Sequence, residues 1–309
     1  RLGIDHVMWY DEKMVFPDGN AEPAGDDEFM VKTAQKMYHE ISPETGEFID
    51  FMIDHELMDL QNKPGKASTG YMTSLPSLKA PFVFSCFNHT IFDMQVLTHE
   101  LGHAFAGYMA MRSQPISDYY SESTDIAEIH SMSMEQFAYP YAEWFFGDQA
   151  DKFRFAHLQE AITFVPFGVA VDEFQHICYA HPELTPKERT YQWHLLEEKY
   201  MPWRKYDNDP FMERGGYWYH KLHIYLYPFY YINYTLTTMG AMEFKKKYTE
   251  NKPAAWQDYL NLCKTGGSRS YLETLRYANL ANPFAAGSVA RACGYAEKIL
   301  LDSIAAQEK

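Results

Sequence analysis

The sequence predicts a mainly α-helical fold with one small β-sheet. Apolar residues recur at helical spacing through most of the 309 residues, and they make up 46% of the chain. Residues 81–89, "PFVFSCFNH", combine β-branched and aromatic residues and are the best strand candidate. No repeat, low-complexity tract or linker divides the chain. We therefore expect a single α-dominated domain over residues 1–309, large enough to bury a substantial core.

The individual elements follow from periodicity and from residues that start and stop helices. Before the strand, helical spacing covers residues 27–58, with an interruption at 41–47 where Ser, Pro, Thr and Gly occur. Residues 62–80 are rich in Gly, Ser, Pro and Lys, which predicts a loop with a short hairpin. After the strand we expect a long helix over residues 93–112, which Pro115 ends. Further helices are expected from N-cap candidates at 121–124 to about 139, and over 148–180, 186–200, 216–249, 254–263, 270–279 and 287–306.

Charge and cysteine content limit the partners and the compartment. The net charge of −15 disfavours nucleic acid and anionic membranes as partners. The four cysteines form no CxxC pair, so reduced thiols in a cytoplasmic protein are favoured over a disulfide framework. The chain opens at Arg1 without a secretory signal pattern, and we expect it to be a piece of a longer cytoplasmic protein.

One segment, residues 224–242, has the length of a membrane span and carries no charged residue. It also contains five tyrosines, three threonines, Pro228 and Asn233, which are unsuited to hydrocarbon. We interpret the segment as a helix that faces a polar, enclosed cavity, and we expect no membrane contact.

The chemical signal of the sequence is "HELGH", the HExxH pattern of His99, Glu100 and His103. Histidines four residues apart lie on one face of a helix, so both imidazoles can reach one metal ion. Glu100 lies about 100° further round the helix, where it can address a water molecule rather than the ion. The alternative is a hydrogen-bonded pair of core histidines. "HEISP" at His39 and "HELMD" at His55 lack the second histidine and predict ordinary surface residues.

A catalytic zinc ion usually takes three protein ligands and a water molecule, so a third ligand is required. The metzincin pattern would place a histidine at position 109, which is Met109 here, and that class is excluded. Candidates in the following helix are Glu122, Asp125, Glu128, His130 and Glu135. Glu128 is favoured because it stands among apolar residues, where a charge is costly unless it is paired or bound to metal. Capping of the helix N-terminus explains Glu122 and Asp125.

"HELGHAF" followed by "DIAEIHSMSME" resembles the thimet oligopeptidase and oligoendopeptidase F family of zinc metallopeptidases, most of all the oligoendopeptidase F branch. The resemblance extends in order over nearly the whole chain through "GKASTGYMTS", "PFVFSCFNH", "VAVDEFQH", "ERGGYWYHKLHIYLYPFYYINYTL" and "LCKTGGSRSYLETL". The chain corresponds to the C-terminal catalytic portion of that family, and the N-terminal helical lobe is largely missing.

The resemblance implies a zincin-type helical catalytic domain that lines a deep substrate channel. By the same resemblance, His99, His103 and Glu128 bind one Zn²⁺ ion, and Glu100 is the general base. The strand 81–89 resembles the edge strand that pairs with an extended peptide substrate. Short peptides are the implied substrates, and the missing N-terminal lobe is expected to cover the channel.

Tyr227, Tyr231 and Tyr234 fall on one helix face by their i, i+4, i+7 spacing and resemble the family's tyrosine set opposite the zinc ion. A family histidine precedes that set. His223 is the nearest match, its spacing differs by one residue, and His220 competes with it. Tyr230 is an alternative to its tyrosine neighbours. Tyr231 or His223 is therefore expected to stabilise the oxyanion of the transition state.

The turn "TGGSRS", residues 265–270, contains two adjacent glycines, a feature that it shares with phosphate-binding loops. No strand precedes the turn and no Walker lysine follows in register, so phosphate binding is disfavoured. We expect a mobile loop at the edge of the channel.

These observations together predict a zinc-dependent endopeptidase that cleaves internal bonds of short peptides. One alternative is a metallocarboxypeptidase of similar helical build, which needs a cationic group for the substrate's terminal carboxylate; none can be assigned. The other is a peptide-binding protein that holds metal without turnover, which has no need of Glu100.

Overall fold

The computed structural model describes residues 5–6, 8–67 and 69–307. Helices account for 68% of the structure, so the predicted mainly α fold is confirmed. Within this part of the chain, no helix has both the length and the apolar character needed to cross a bilayer. The α-helices, in chain order, are Asp27–Ile41 (α1), Pro43–Asp54 (α2), Ile91–Ser113 (α3), Thr124–Phe137 (α4), Ala142–Phe146 (α5), Ala150–Ala180 (α6), Pro186–Tyr200 (α7), Pro210–Glu213 (α8), Leu222–Leu226 (α9), Ile232–Glu250 (α10), Lys252–Thr265 (α11), Tyr271–Tyr277 (α12) and Ser288–Gln307 (α13).

The predicted interruption between α1 and α2 is a single residue, Ser42. Its hydroxyl accepts a hydrogen bond from the Thr45 backbone N–H at 3.1 Å, and Thr45 Oγ1 accepts one from the Ser42 N–H, also at 3.1 Å. Pro43 occupies the first helical position, where its missing N–H costs nothing. The polar residues that predict a break therefore form a capping box that starts α2 directly.

The sheet has three strands, Met58–Asp59 (β1), Tyr71–Leu75 (β2) and Ala80–Phe84 (β3), in the order β1-β3-β2. β3 pairs in parallel with β1, with Met58 opposite Val83, and antiparallel with β2, with Tyr71 opposite Phe84. The short hairpin expected within residues 62–80 forms only in part, because its first strand, β2, pairs with β3 rather than with another stretch of the loop. Ser68 of that loop lies outside the described residues.

β3 is the central strand, so the expectation that residues 81–89 form an edge strand is wrong. β1 pairs with the second edge of β3, but it is only two residues long and one of them is charged, so the sequence does not predict it as a strand. The strand also ends at Phe84, earlier than predicted. Among the described residues, the edges of this sheet are β1 and β2.

α3 begins at a well-capped N-terminus close to the predicted position. Thr90 is the N-cap, and the buried Asp93 carboxylate accepts backbone hydrogen bonds from Asn88 at 3.0 Å and His89 at 2.7 Å. These bonds satisfy donors that the strand-to-helix connection would otherwise leave without partners. α3 packs against β2, β3, α4 and α11, which makes it the central helix of its part of the molecule.

The predicted helix over residues 216–249 is broken into a 3₁₀ turn, α9 and α10. Pro228 removes a backbone donor, and Phe229 adopts a left-handed conformation with φ +61°. A bulky residue rarely adopts this conformation, so surrounding contacts must hold it. The Phe229 N–H donates to Oε1 of the buried Gln175 at 2.9 Å, which fixes the turn.

Backbone contacts divide the chain into two compact units. One comprises residues 1–20 and 156–236, and the other comprises residues 21–155 and 237–309. The first has a core of buried apolar residues from α6, α7 and the 3₁₀ turn, including Phe174, Trp193 and Trp218. The second contains the sheet with α3, α4 and α11. The expectation of one catalytic domain over residues 1–309 stays a prediction.

Candidate functional site

His99 and His103 lie one turn apart on α3, as predicted, and their rings meet edge to face with centroids 4.9 Å apart. Leu97, Leu101 and Ala104 on the same helix are buried in the core. Because apolar residues anchor the rest of the helix, both imidazoles are held on the side that meets α4.

α4 brings Glu128 to these two imidazoles. Glu128 Oε2 lies 3.1 Å from His99 Nε2 and 3.4 Å from His103 Nε2. The three ligand atoms all lie within 4.8 Å of one another. Ser131, one turn further along α4, donates to the same Oε2 at 3.1 Å and orients the carboxylate. The Glu128 side chain is only 8% exposed, so a full charge there needs these partners or a cation.

The second ring nitrogen of His99 has a carboxylate partner of its own. His99 Nδ1 lies 2.6 Å from Glu135 Oε1. A carboxylate on Nδ1 favours a proton at that nitrogen, which keeps Nε2 available as a metal ligand. The sequence names Glu135 only as an alternative third ligand. Its position seven residues after Glu128, two helical turns along the same face, is the signal that points to this supporting role.

The donor set fits a divalent transition metal. Two imidazole nitrogens and one carboxylate oxygen are the ligands found at open catalytic zinc sites, and a Nδ1–carboxylate contact accompanies them in such sites. These atoms converge in this chain from two helices that are packed on each other.

Glu100 lies between the two histidines in sequence, and its carboxyl is not part of the His99–His103–Glu128 group. The side chain is 7% exposed and has no hydrogen-bond partner among the described residues. Burial raises the pKa of the Glu100 carboxyl, and positive charge on His99 and His103 opposes that shift only in part. A Cβ atom added to Gly70, just before β2, would lie 3.1 Å from Glu100 Oε1. Gly70 therefore leaves the space beside this carboxylate open.

Glu122 does not cap α4, contrary to the expectation from its position. Ser123 is the N-cap residue, and its hydroxyl donates to Asp125. Glu122 Oε1 instead lies 3.1 Å from Nδ1 of the fully buried His130. Neither Glu122 nor His130 belongs to the group of converging ligand atoms. The two residues are only eight positions apart, but Glu122 precedes the helix that carries His130, so helical spacing does not predict their contact.

The aromatic set lies in the other compact unit, where His223, Tyr227, Tyr230, Tyr231 and Tyr234 surround the turn between α9 and α10. The His223 ring stacks on Tyr230 with centroids 6.1 Å apart and meets Tyr231 edge to face at 5.1 Å. The Tyr234 hydroxyl donates to the Tyr230 hydroxyl at 3.3 Å. His223 is thus part of the tyrosine cluster, as predicted.

Tyr227, Tyr231 and Tyr234 do not share a helix face, so the predicted i, i+4, i+7 arrangement is wrong. Tyr227 and Tyr231 lie in the turn between the helices, and only Tyr234 lies in α10. Tyr231 is 6% exposed and packs against Phe164 and Phe167, whereas Tyr227 is 57% exposed. The Pro228 turn, rather than a common helix face, brings the rings together.

His220 is the competing histidine, and it faces a different neighbour. Its Nδ1 hydrogen-bonds to the Tyr217 carbonyl, and its ring meets the Tyr217 ring at 4.5 Å. Burial lowers the pKa of both His220 and His223, which favours neutral imidazoles at each position.

Comparison with known proteins gives these residues a family context. The model of peptidase family M3 matches residues 30–293, which is most of the chain. The chain belongs to peptidase family M3. The resemblance carried by "HELGHAF" and "DIAEIHSMSME" is therefore confirmed. M3 is a metallopeptidase family, so a metal ion is expected at the histidine–glutamate group.

Individual relatives agree with the family assignment. An oligoendopeptidase F homolog of Borreliella burgdorferi is 26% identical over 229 residues, covering 72% of this M3 chain and 38% of the relative. The structure of PZ peptidase A with an inhibitor is 48% identical, with a TM-score of 0.93, and covers 98% of this chain and 54% of its own. A structure described as an oligoendopeptidase F is 49% identical, with a TM-score of 0.92, and the coverages are 97% and 53%. The M3 chain thus spans about half the length of these solved relatives.

Proposed function

We propose that this M3 chain is the catalytic portion of a zinc-dependent endopeptidase that hydrolyses internal bonds of short peptides. The proposal treats residues 1–309 as one catalytic domain. The observation that carries it is the convergence of the ligand atoms of His99, His103 and Glu128 within 4.8 Å of one another. Beside them lies the buried carboxylate of Glu100, which has no hydrogen-bond partner among the described residues.

His99 and His103 would hold the zinc ion through Nε2, and Glu128 would hold it through its carboxylate. Glu135 would keep the His99 ring in the required tautomer, because its Oε1 lies 2.6 Å from Nδ1. When bound, zinc supplies a Lewis acid that polarises a carbonyl group and lowers the pKa of a water molecule.

Glu100 is the proposed general base. Its carboxylate accepts a proton from the attacking water and donates that proton to the leaving amine nitrogen. Burial of the side chain keeps competing solvent away and raises the pKa of the carboxyl, which makes the carboxylate a stronger base for the first transfer. The absence of a hydrogen-bond donor on this carboxylate among the described residues is consistent with a group that must exchange a proton.

An extended peptide is proposed to pair with β2 rather than with β3. Among the described strands, β3 has a neighbour on each side, whereas β2 is an edge of five residues. Edge strands bind extended peptides through backbone hydrogen bonds. Gly70 precedes β2 directly and lies beside Glu100, so a peptide on this edge would begin next to the proposed base.

Tyr227, Tyr231, Tyr234 and His223 remain proposed catalytic donors on the ground of the family resemblance. A hydroxyl or imidazole N–H from this set would stabilise the oxyanion of the tetrahedral intermediate. Their clustering around one turn supports a shared function.

The solved relatives are about twice as long as this chain, which supports a whole protein with a further N-terminal lobe. We propose that this lobe covers the substrate channel, that short peptides are the substrates and that the protein is cytoplasmic. The last point rests on the reduced cysteines, of which Cys86, Cys178, Cys263 and Cys293 are all free.

The test uses the full-length protein and an internally quenched peptide that is blocked at both ends. An endopeptidase cleaves this peptide, and removal of zinc with a chelator abolishes the cleavage until zinc is restored. A carboxypeptidase requires a free terminal carboxylate and leaves the blocked peptide intact. A peptide-binding protein binds the peptide without turnover, so either of the last two results would overturn the proposal.

A further inference from the structure

A second buried acid–base pair lies close to the metal-binding group. Glu122 Oε1 is 3.1 Å from His130 Nδ1, and their side chains are 11% and 1% exposed. His130 stands two residues after Glu128 on α4, and Glu122 stands just before the helix begins. The pair therefore joins the start of α4 to the turn that follows Glu128.

α11 holds the same turn from one side. The hydroxyl of the fully buried Tyr259 donates to the His130 carbonyl oxygen at 2.9 Å, and the Tyr259 ring meets the His130 ring edge to face. The turn after α11 holds the segment before Glu122, because the Gly267 N–H donates to the Tyr119 carbonyl at 3.1 Å. A Cβ atom on Gly266 would lie 2.0 Å from that carbonyl oxygen. The adjacent glycines thus have a packing role that the sequence analysis does not predict.

α3 also packs closely against this turn. A Cβ atom on Gly102 would lie 2.7 Å from Ser131 Cα and 3.0 Å from the His130 carbonyl oxygen. The backbones of α3 and α4 therefore meet directly beside His103. Any displacement of His130 changes the distance between α4 and α3, and with it the distance from Glu128 Oε2 to the two imidazoles.

We propose that Glu122 and His130 are positioning residues that fix the Glu128 carboxylate at the metal-binding group. The Glu122–His130 contact closes the start of α4 onto its second turn. Tyr259 and Gly102 both meet that turn at the His130 carbonyl oxygen. The inference rests on the proposed function only in assigning Glu128 as a metal ligand. Neither Glu122 nor His130 touches the metal in this account.

The experiment measures the zinc affinity of the full-length apo-protein by competition with a chromophoric chelator. Glu122→Leu keeps the volume of the side chain and removes the carboxylate that lies 3.1 Å from His130 Nδ1. We expect zinc affinity to fall about tenfold to a hundredfold. The visible spectrum of the cobalt-loaded variant should change as well, because the ligand geometry changes. Glu122→Gln retains a polar side-chain oxygen beside His130 and should restore most of the affinity.

Glu197→Leu is the matched control. Glu197 is also a largely buried carboxylate, with a side chain 6% exposed, and it accepts a hydrogen bond from the Tyr206 hydroxyl in the other compact unit. We expect this variant to lower the melting temperature and to leave zinc affinity and the cobalt spectrum unchanged. If Glu122→Leu does not fold, Tyr259→Phe replaces it, with an expected loss of affinity of about fivefold for one hydrogen bond.

The outcomes separate this inference from the proposed function. The positioning role would be overturned if Glu122→Leu kept wild-type zinc affinity and an unchanged cobalt spectrum. The same result in Tyr259→Phe would overturn it if that variant has to replace Glu122→Leu. An equal loss of affinity in Glu197→Leu would overturn it too, because the effect would be one of general stability. Glu128→Ala is the reference: retention of zinc in that variant would instead overturn the assignment of Glu128 under the proposed function.

Discussion

At the scale of single residues, the second histidine of HExxH distinguishes the site from two similar stretches of sequence. His39 and His55 are also followed by glutamate, and both lie exposed. His39 pairs with Asp50 on the surface, and His55 Nδ1 hydrogen-bonds to the Phe51 carbonyl oxygen of its own helix. Of these three histidines, only His99 has a second histidine one turn later, and both imidazoles meet the buried Glu128 carboxylate.

Gly70 provides the first prediction at this scale. In Gly70→Ala, the added methyl group would lie 3.1 Å from both Glu100 Oε1 and Val96 Cγ1, which is too close without a shift of the carboxylate. We expect kcat of the full-length enzyme to fall by about tenfold to a hundredfold, because a base displaced by a fraction of an ångström loses its alignment. Zinc content should not change.

Gly294→Ala is the control for that measurement. Gly294 lies in α13, and a Cβ atom there meets no neighbour within 4 Å. Alanine should leave turnover unchanged and add slightly to helix stability. Full turnover in Gly70→Ala would mean that the space beside Glu100 is not needed.

At the scale of elements, the sequence predicts helices well where apolar periodicity is long and fails where a turn has a tertiary cause. α7 begins and ends at the residues predicted, because Pro186 and the Thr185 capping box mark its start. The segment predicted as one helix over residues 216–249 is instead broken by Pro228 and by the Gln175–Phe229 hydrogen bond. That bond joins residues that are far apart in sequence, so local pattern does not reveal it.

The broken segment carries the second prediction. If Tyr231 donates to the oxyanion, Tyr231→Phe should lower kcat about a hundredfold with little change in KM. The phenyl ring keeps the packing against Phe164 and Phe167, so the melting temperature should change little. Steady-state kinetics of the full-length enzyme on a blocked peptide gives both constants.

Tyr225→Phe is the internal control, because Tyr225 is half-exposed and stacks on Trp218 away from the His223 cluster. The same substitution at the other tyrosines, with alanine at the two histidines, locates the donor if it is not Tyr231; these positions are Tyr227, Tyr230, Tyr234, His220 and His223. Full kcat in every variant would assign the cluster a purely structural role.

α10 carries the third prediction, through the buried Lys245. Its ammonium group lies 3.2 Å from the centroid of the Tyr139 ring, and it has 7% exposure. Burial and the nearby Arg154 lower the pKa of Lys245 from 10.5 to about 7. Because the folded-state pKa lies below the unfolded one, the destabilisation is complete below about pH 7 and declines as the pH rises towards 10.5.

Lys245→Met should therefore stabilise the protein most at pH 6 to 7, and its advantage over the wild type should shrink by up to about 1.4 kcal/mol per pH unit above that. Chemical denaturation of both proteins from pH 6 to 9 measures the difference. A difference that does not vary with pH would show that the Tyr139 ring fully compensates the buried charge.

At the scale of the whole molecule, the sequence predicts the helical class and the proposed ligands but not the division into two units. Each unit combines two stretches of chain that are distant in sequence. The boundaries between the units fall inside α6 and α10, so each of these helices has residues in both units. The same limit applies to the site. Glu135 and His99 are 36 residues apart, and their contact follows from the packing of α4 on α3 rather than from any local motif.

The central claim concerns which side chain holds the metal and which moves the proton. The most direct test measures zinc content and kcat on a blocked peptide for full-length Glu100→Gln and Glu128→Ala. Glu100→Gln should keep a single zinc ion and lose about a hundredfold or more in kcat, because glutamine cannot accept the proton. Glu128→Ala should lose the zinc itself. Loss of zinc in Glu100→Gln, or near-normal turnover with zinc bound, would contradict the account.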